Sequence, residues 1–155
     1  MKMKSRLAKN QGDLARMARE VLKIISGERS HHEAVVLVCS GNLGSGKTTF
    51  AKALAHTLGI KEEITSPTFV IEKIYEVSKR ARTETGFSRF IHIDAYRLKH
   101  KKELEALRFA EIARDSENLV LIEWGDKFRE SLPLSHRELS FLFVDEKTRE
   151  ISLTR

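Results

Sequence analysis

The 155-residue chain has one cysteine, two prolines, one tryptophan and no long apolar run. One cysteine supplies neither a disulfide framework nor a cysteine-rich zinc site. Cys39 sits inside the apolar run Ala34-Val35-Val36-Leu37-Val38-Cys39, where a thiol packs as a small buried side chain. No apolar stretch approaches the length of a membrane span, and the basic start of the chain (Lys2, Lys4, Arg6, Lys9) is not followed by a signal-peptide core. A cytoplasmic protein with no membrane partner is expected. Repeats, low-complexity tracts and an internal domain boundary are absent too, and at 41% hydrophobic the chain is long enough for one compact core and too short for two.

The balance of 28 Lys+Arg against 22 Asp+Glu leaves a formal charge of +6. Such a surface suits an anionic partner, nucleic acid among them, and equally a solvated basic exterior.

What is present is a glycine-rich octet, Gly41-Asn42-Leu43-Gly44-Ser45-Gly46-Lys47-Thr48, placed directly after that apolar run. Its glycines let the backbone wrap so that successive N–H groups converge, and Lys47 adds a mobile positive charge. This is a P-loop for a nucleoside triphosphate. Thr48 would place its hydroxyl on the accompanying Mg2+, and the helix that starts there directs its positive end at the phosphates. The motif has meaning only between a strand and a helix, and both are expected. Residues 34–39 are apolar on both faces, as in a central parallel strand. Residues 47–58 carry Phe50, Leu54 and Leu58 on one face, with Gly59 as the stop.

Elsewhere, residues 1–11 are polar and basic and expected to be ordered only in part. Leu14, Met17, Val21, Leu22 and Ile25 recur at helical spacing over 13–26, and Gly27 stops that helix. His31 and His32 read as solvent-facing residues of a linker. Residues 69–77 are rich in strand formers and 89–94 form a second apolar run, so the pair predicts an antiparallel hairpin whose charged tip, 78–88, is an exposed loop. Lys79, Arg80 and Arg82 on that tip fit a phosphate lid or a solvated loop. Pro67 fixes a turn that leaves Ser66 and Thr68 as hydroxyls facing the nucleotide or capping a strand. Residues 101–115 predict one amphipathic helix. Residues 125–132 should turn with a short helix at most. Residues 137–144 and 149–153 predict a closing β-hairpin with Leu139, Phe141, Phe143, Ile151 and Leu153 on its buried face.

Two apolar runs end in acids: Arg89-Phe90-Ile91-His92-Ile93-Asp94 and Leu119-Val120-Leu121-Ile122-Glu123. Ligands of α/β sheets bind at strand ends, and Mg2+ takes oxygen ligands, so Asp94 and Glu123 are the candidate metal acids and, with Lys47, the candidate catalytic residues. His92 reads as a structural hydrogen-bonding residue, Tyr96 and Arg97 as flanks of the site or a partner face, and Trp124 as a cover for the nucleotide or as rim packing. The expected architecture is α/β: a P-loop NTPase-like three-layer fold with a central, mostly parallel sheet flanked by helices, plus antiparallel hairpins. Residues 1–155 make one P-loop domain.

Four segments in this order, residues 41–49, Ser66-Pro67-Thr68-Phe69, His92-Ile93-Asp94-Ala95-Tyr96-Arg97 and Leu121-Ile122-Glu123-Trp124, resemble the TsaE (YjeE) family of P-loop ATPases. The resemblance runs from the first helix to the last hairpin. It implies a partner-dependent ATPase, using ATP and Mg2+, that supports threonylcarbamoyladenosine synthesis at position 37 of tRNA. The implied partners are TsaD and TsaB, with TsaC making the donor and tRNA contact indirect or weak. Carried over by residue, Lys47 matches the phosphate-binding lysine, Thr48 the Mg2+ hydroxyl, Thr49 the next phosphate contact and Thr68 a switch-like loop. Asp94 and Glu123 match the metal acids, and Trp124 the aromatic beside the nucleotide. Asn42 stands where the family commonly has Asp, and Arg108 where Gly often follows the Glu-Leu-Glu helix. Two other classes fit the residues alone: a small-molecule P-loop kinase and a non-enzymatic nucleotide-dependent binding module.

Overall fold

A computed structural model describes residues 3–67 and 69–154, so the Thr68 assignment lies outside the described residues. The elements run β1 (Met3–Ala8), α1 (Gln11–Gly27), β2 (Val35–Ser40), α2 (Lys47–Thr57), β3 (Glu72–Glu76), α3 (Lys79–Thr85), β4 (Arg89–Asp94), α4 (Lys101–Ala106), α5 (Phe109–Arg114), β5 (Asn118–Glu123), a 3-10 helix (Gly125–Ser131), β6 (Arg137–Phe143) and β7 (Arg149–Thr154).

All seven strands share one sheet in the order β1-β7-β6-β2-β5-β4-β3. The middle four, β6-β2-β5-β4, are parallel, while β3 closes one side and β7 with β1 the other by antiparallel pairing. Helices cover both faces. On one, α1 and α2 bury Val21, Ile25, Phe50, Leu54 and Leu58 against Leu37, Cys39, Phe90, Leu119 and Leu121. On the other, Leu104, Phe109 and Phe128 cover Val36, Val38, Ile91, Ile93, Val120 and Ile122. Odd and even residues of β2 therefore belong to different cores, which is why the run is apolar on both faces.

α2 is pinned by Phe50, fully buried and edge-on to Phe141 of β6 at 5.6 Å. α1 begins where the Asn10 side chain accepts from the Asp13 N–H at 2.9 Å, and it continues through Gly27 to a cap at Glu28.

Several expectations are corrected. Residues 3–8, for which partial order was expected, pair with β7 as an edge strand. The strand expected from residue 69 starts at Glu72, because the chain first turns back on Pro67 and passes Ile71 at φ +67°. The exposed tip is the helix α3, capped by Ser78 at its start and by Gly86 at φ +78° at its end. The single helix over 101–115 is two, broken where Arg108 takes φ +56°. Phe143 is exposed at the end of β6, under the guanidinium of Arg149, while Leu139, Phe141, Ile151 and Leu153 are buried.

Candidate nucleotide site

The parallel register Cys39↔Glu123 and Asp94↔Glu123 brings the ends of β2, β5 and β4 level. The glycine-rich loop leaves β2 at that level. It passes Gly41 at φ +148°, Gly44 at +75° and Gly46 at +101° before Lys47 opens α2. A side chain on Gly41 would meet the Phe141 carbonyl oxygen at 2.5 Å, so the loop lies against β6 with no room for one. Within it the Ser45 N–H donates to the Asn42 carbonyl at 3.1 Å, and Ser45 itself is buried.

Lys47 is 4% exposed, and its ammonium donates to the carbonyls of Gly41 (2.7 Å) and Asn42 (3.0 Å) while lying 4.0 Å from the Trp124 ring centre. Burial lowers its pKa below the ordinary lysine value, and the charges of Glu123 and Asp94 act in the opposite direction. Burial likewise raises the Cys39 thiol well above its usual value, so it remains a packing residue.

Thr48 Oγ1 donates to the Glu123 carboxylate, 2.9 Å from Oε1 and 3.0 Å from Oε2. Glu123 and Asp94 are both buried, at 3% and 4% exposure. Asp94 Oδ1 accepts from the Tyr96 N–H at 2.9 Å, which turns the chain away from β4. The Asp94 N–H donates to the Ile71 carbonyl at 2.8 Å, docking the segment that carries Ser66 beside the acids. Trp124 leaves β5 at φ +61°, its N–H donating to the Cys39 carbonyl, and its ring lies 5.2 Å from that of Tyr96.

The outcome is a cleft of ≈ 280 Å³ in which Leu43, Gly44, Gly46, Lys47, Thr48 and Thr49 face Ser66, Asp94, Tyr96, Glu123 and Trp124. Loop cation, hydroxyl and both acids, spread over the sequence, thus share one wall-to-wall space. The Asn42 side chain is exposed, and its carbonyl takes the Lys47 ammonium.

The cationic tip does not join them. Arg82 pairs with Glu117, just ahead of β5, and Arg80 with Glu84 within α3. Because β2, β4 and β5 are parallel, that is the end of the sheet opposite the glycine-rich loop, so the phosphate-lid reading fails. Two contacts of the site were not read from the sequence. Arg149 donates to the Gly44 carbonyl at 3.3 Å, and His92 bonds Glu123 at 2.8 Å. Alternation along β4 puts His92 and Asp94 on one face and was the only available signal for the second; nothing local marks the first.

A family model described as "Threonylcarbamoyl adenosine biosynthesis protein TsaE" matches residues 8–151. The chain belongs to the TsaE family. Curated relatives carrying the name tRNA threonylcarbamoyladenosine biosynthesis protein TsaE include that of Treponema pallidum, 34% identical over 78% of this chain and 82% of the relative. That of Bacillus subtilis is 34% identical over 77% and 68%, and that of Aquifex aeolicus 27% identical over 99% and 97%. The crystal structure of Bacillus subtilis YdiB is similar in fold, with a TM-score of 0.67 over 99% of this chain and 85% of that one at 23% identity. The TsaE-family chain thus has a P-loop NTPase-like α/β fold, and its four resembling segments meet at one cleft, apart from the undescribed Thr68. No helix among the described residues is long and apolar enough to cross a membrane.

Proposed function

We propose that this TsaE-family chain binds ATP with Mg2+ in the cleft between the glycine-rich loop and the two strand-end acids, and hydrolyses it slowly in support of threonylcarbamoyladenosine modification of tRNA. The observation that carries this reading is the bond from Thr48 to Glu123 beside Asp94, directly below the loop that holds Lys47.

The residues fit the groups they would hold. Thr48, Asp94 and Glu123 offer a hydroxyl and carboxylates, the oxygen donors a hard dication takes. Among the described residues no three His, Cys, Asp or Glu side chains group as a metal cage, so such an ion would complete its shell with water and phosphate oxygens. When bound, Mg2+ supplies charge neutralisation of phosphate oxygens. Lys47 exchanges the carbonyls of Gly41 and Asn42 for phosphate oxygens, and the loop N–H groups and the start of α2 add fixed positive potential. Asp94 or Glu123 orients the attacking water. Trp124 and Tyr96, their rings 5.2 Å apart, line one side of the cleft.

Among the described residues that line the cleft Lys47 is the one Lys or Arg, which supports a site completed by partners. TsaD and TsaB fill that role in this reading, with tRNA contacted indirectly. The test is ATP binding and product analysis on the purified chain, followed by co-purification with TsaB and TsaD with and without ATP. Inorganic phosphate as product, ATP-dependent association and loss of both in Lys47→Ala are expected. A phosphorylated small molecule would establish a kinase, and binding without turnover in the presence of both partners a nucleotide-dependent module.

A further inference from the structure

His92 is fully buried on β4, between Phe90 and Asp94 on the face covered by α1 and α2. Its ring stacks 6.2 Å from that of Phe90 at 24°, which fixes the ring plane. Nε2 lies 2.8 Å from Glu123 Oε1, and Nδ1 is buried with no hydrogen-bonding partner among the described residues.

That asymmetry selects the tautomer. Placing the ring proton on Nδ1 would bury an N–H donor that none of the described residues receives, whereas placing it on Nε2 lets the N–H donate to a carboxylate and leaves a bare lone pair at Nδ1. The second arrangement avoids an orphaned donor and makes a charge-assisted bond. Glu123 then receives His92 on Oε1 alone, while Thr48 spans both oxygens. Two donors from different elements, β4 and α2, hold the orientation of this buried carboxylate.

We propose that His92, as its Nε2–H tautomer, is a positioning residue for Glu123: it occupies Oε1 and so presents Oε2, together with the Thr48 hydroxyl, to the cleft. This rests on the nucleotide reading above for what Glu123 then does, but the tautomer and the bond are properties of the chain itself. Ligands to metals are commonly aimed by such partners, whose loss costs about 10–100-fold in metal affinity or activity. His92 touches neither phosphate nor water in this scheme and acts only through Glu123.

The test has two arms. Long-range 1H–15N correlation on the nucleotide-free, metal-free protein should report the Nε2–H tautomer; the Nδ1–H tautomer would overturn the proposal whatever the enzyme does. In the second arm, binding of a non-hydrolysable ATP analogue is followed by Trp124 fluorescence with and without Mg2+. His92→Leu is expected to raise the Mg2+ midpoint about tenfold and leave the metal-free analogue affinity unchanged. His92→Gln, whose side-chain amide can reach the same oxygen, should return the midpoint most of the way. An unaltered midpoint in His92→Leu, or equal loss in Leu and Gln variants that both fold, would overturn it. If His92→Leu does not fold, the Gln variant and the tautomer measurement decide. Wild-type protein that binds no analogue defeats the nucleotide reading instead, and leaves the tautomer result standing.

Discussion

Thr48 and Glu123, 75 residues apart, are joined by one forked hydrogen bond: the donating hydroxyl lies 2.9 Å and 3.0 Å from the two carboxylate oxygens. The loop that would cradle phosphate and the strand end that would address metal or water are therefore joined directly, hydroxyl to carboxylate. Glu123→Gln keeps an oxygen for Thr48 but removes the charge. Turnover is expected to fall at least ~100-fold with the Mg2+-free nucleotide affinity changed only a few-fold, measured by phosphate release and by equilibrium binding without Mg2+. Loss of affinity alone would assign Glu123 to binding.

Lys47 and Trp124 supply an internal reporter, since the chain has one tryptophan and the ammonium sits 4.0 Å from its ring. Drawing the ammonium toward phosphate must change the Trp124 environment. ATP and inorganic tripolyphosphate are both expected to shift its emission, and Lys47→Ala to alter the starting spectrum and abolish the response. Unchanged emission at saturating ligand would show that the lysine does not leave the ring.

Gly41 allows the closest backbone approach in the loop, its absent Cβ lying 2.5 Å from the Phe141 carbonyl. Gly41→Ala should cost about 1–3 kcal/mol by urea unfolding, from strain at φ +148° and displacement of β6. A variant as stable as the parent would mean that the loop moves freely off β6.

Arg108 breaks the 101–115 segment in a left-handed conformation that glycine adopts more easily, and its ion pair with Glu111 is exposed. Exposed pairs contribute little. Arg108→Gly is expected to stabilise by roughly 1 kcal/mol, and Arg108→Ala to give none of that gain. Equal midpoints for the Gly and Ala variants would remove backbone strain as the cause.

Glu117 accepts from the Ser88 hydroxyl at 2.6 Å and from Arg82 at 2.9 Å, joining α3 to the starts of β4 and β5. The Ser88 hydroxyl first, then the Arg82 charge, hold its carboxyl below the usual carboxylate value. The folded state therefore binds this proton less readily than the unfolded chain. Its contribution is complete above the unfolded value and is lost as pH falls through the lowered folded one. Glu117→Gln should flatten part of the acid limb of a thermal-stability profile, leaving the neutral region with a lower, less pH-sensitive midpoint. A parallel acid limb in parent and variant would count against the linkage.

Elements with a strong repeating pattern were legible. The α1 stripe from Leu14 to Ile25, the doubly apolar β2 and β5, and the loop at Gly41–Thr48 lie where their periodicity puts them, because each signal is contained within one element. The misses share a different cause. β1 is a polar strand whose partner, β7, is nearly 150 residues away, and nothing within residues 3–8 announces that pairing. α3 is short and charged, and its helical turns depend on caps at Ser78 and Gly86 and on Arg82 reaching Glu117. Arg108 breaks its segment at φ +56°, and Phe143 ends β6 exposed under the Arg149 guanidinium.

The sequence by itself determined that a phosphate-binding loop would follow a buried strand and that two other strands would end in acids, since glycine spacing and apolar alternation are local properties of the chain. Tertiary structure decided which groups meet. The level ends of three parallel strands set Glu123 against Thr48 and His92, while the same parallel order carried Arg80 and Arg82 to the far end of the sheet. Strand direction and register, which arise from pairing across the whole chain, drew that line.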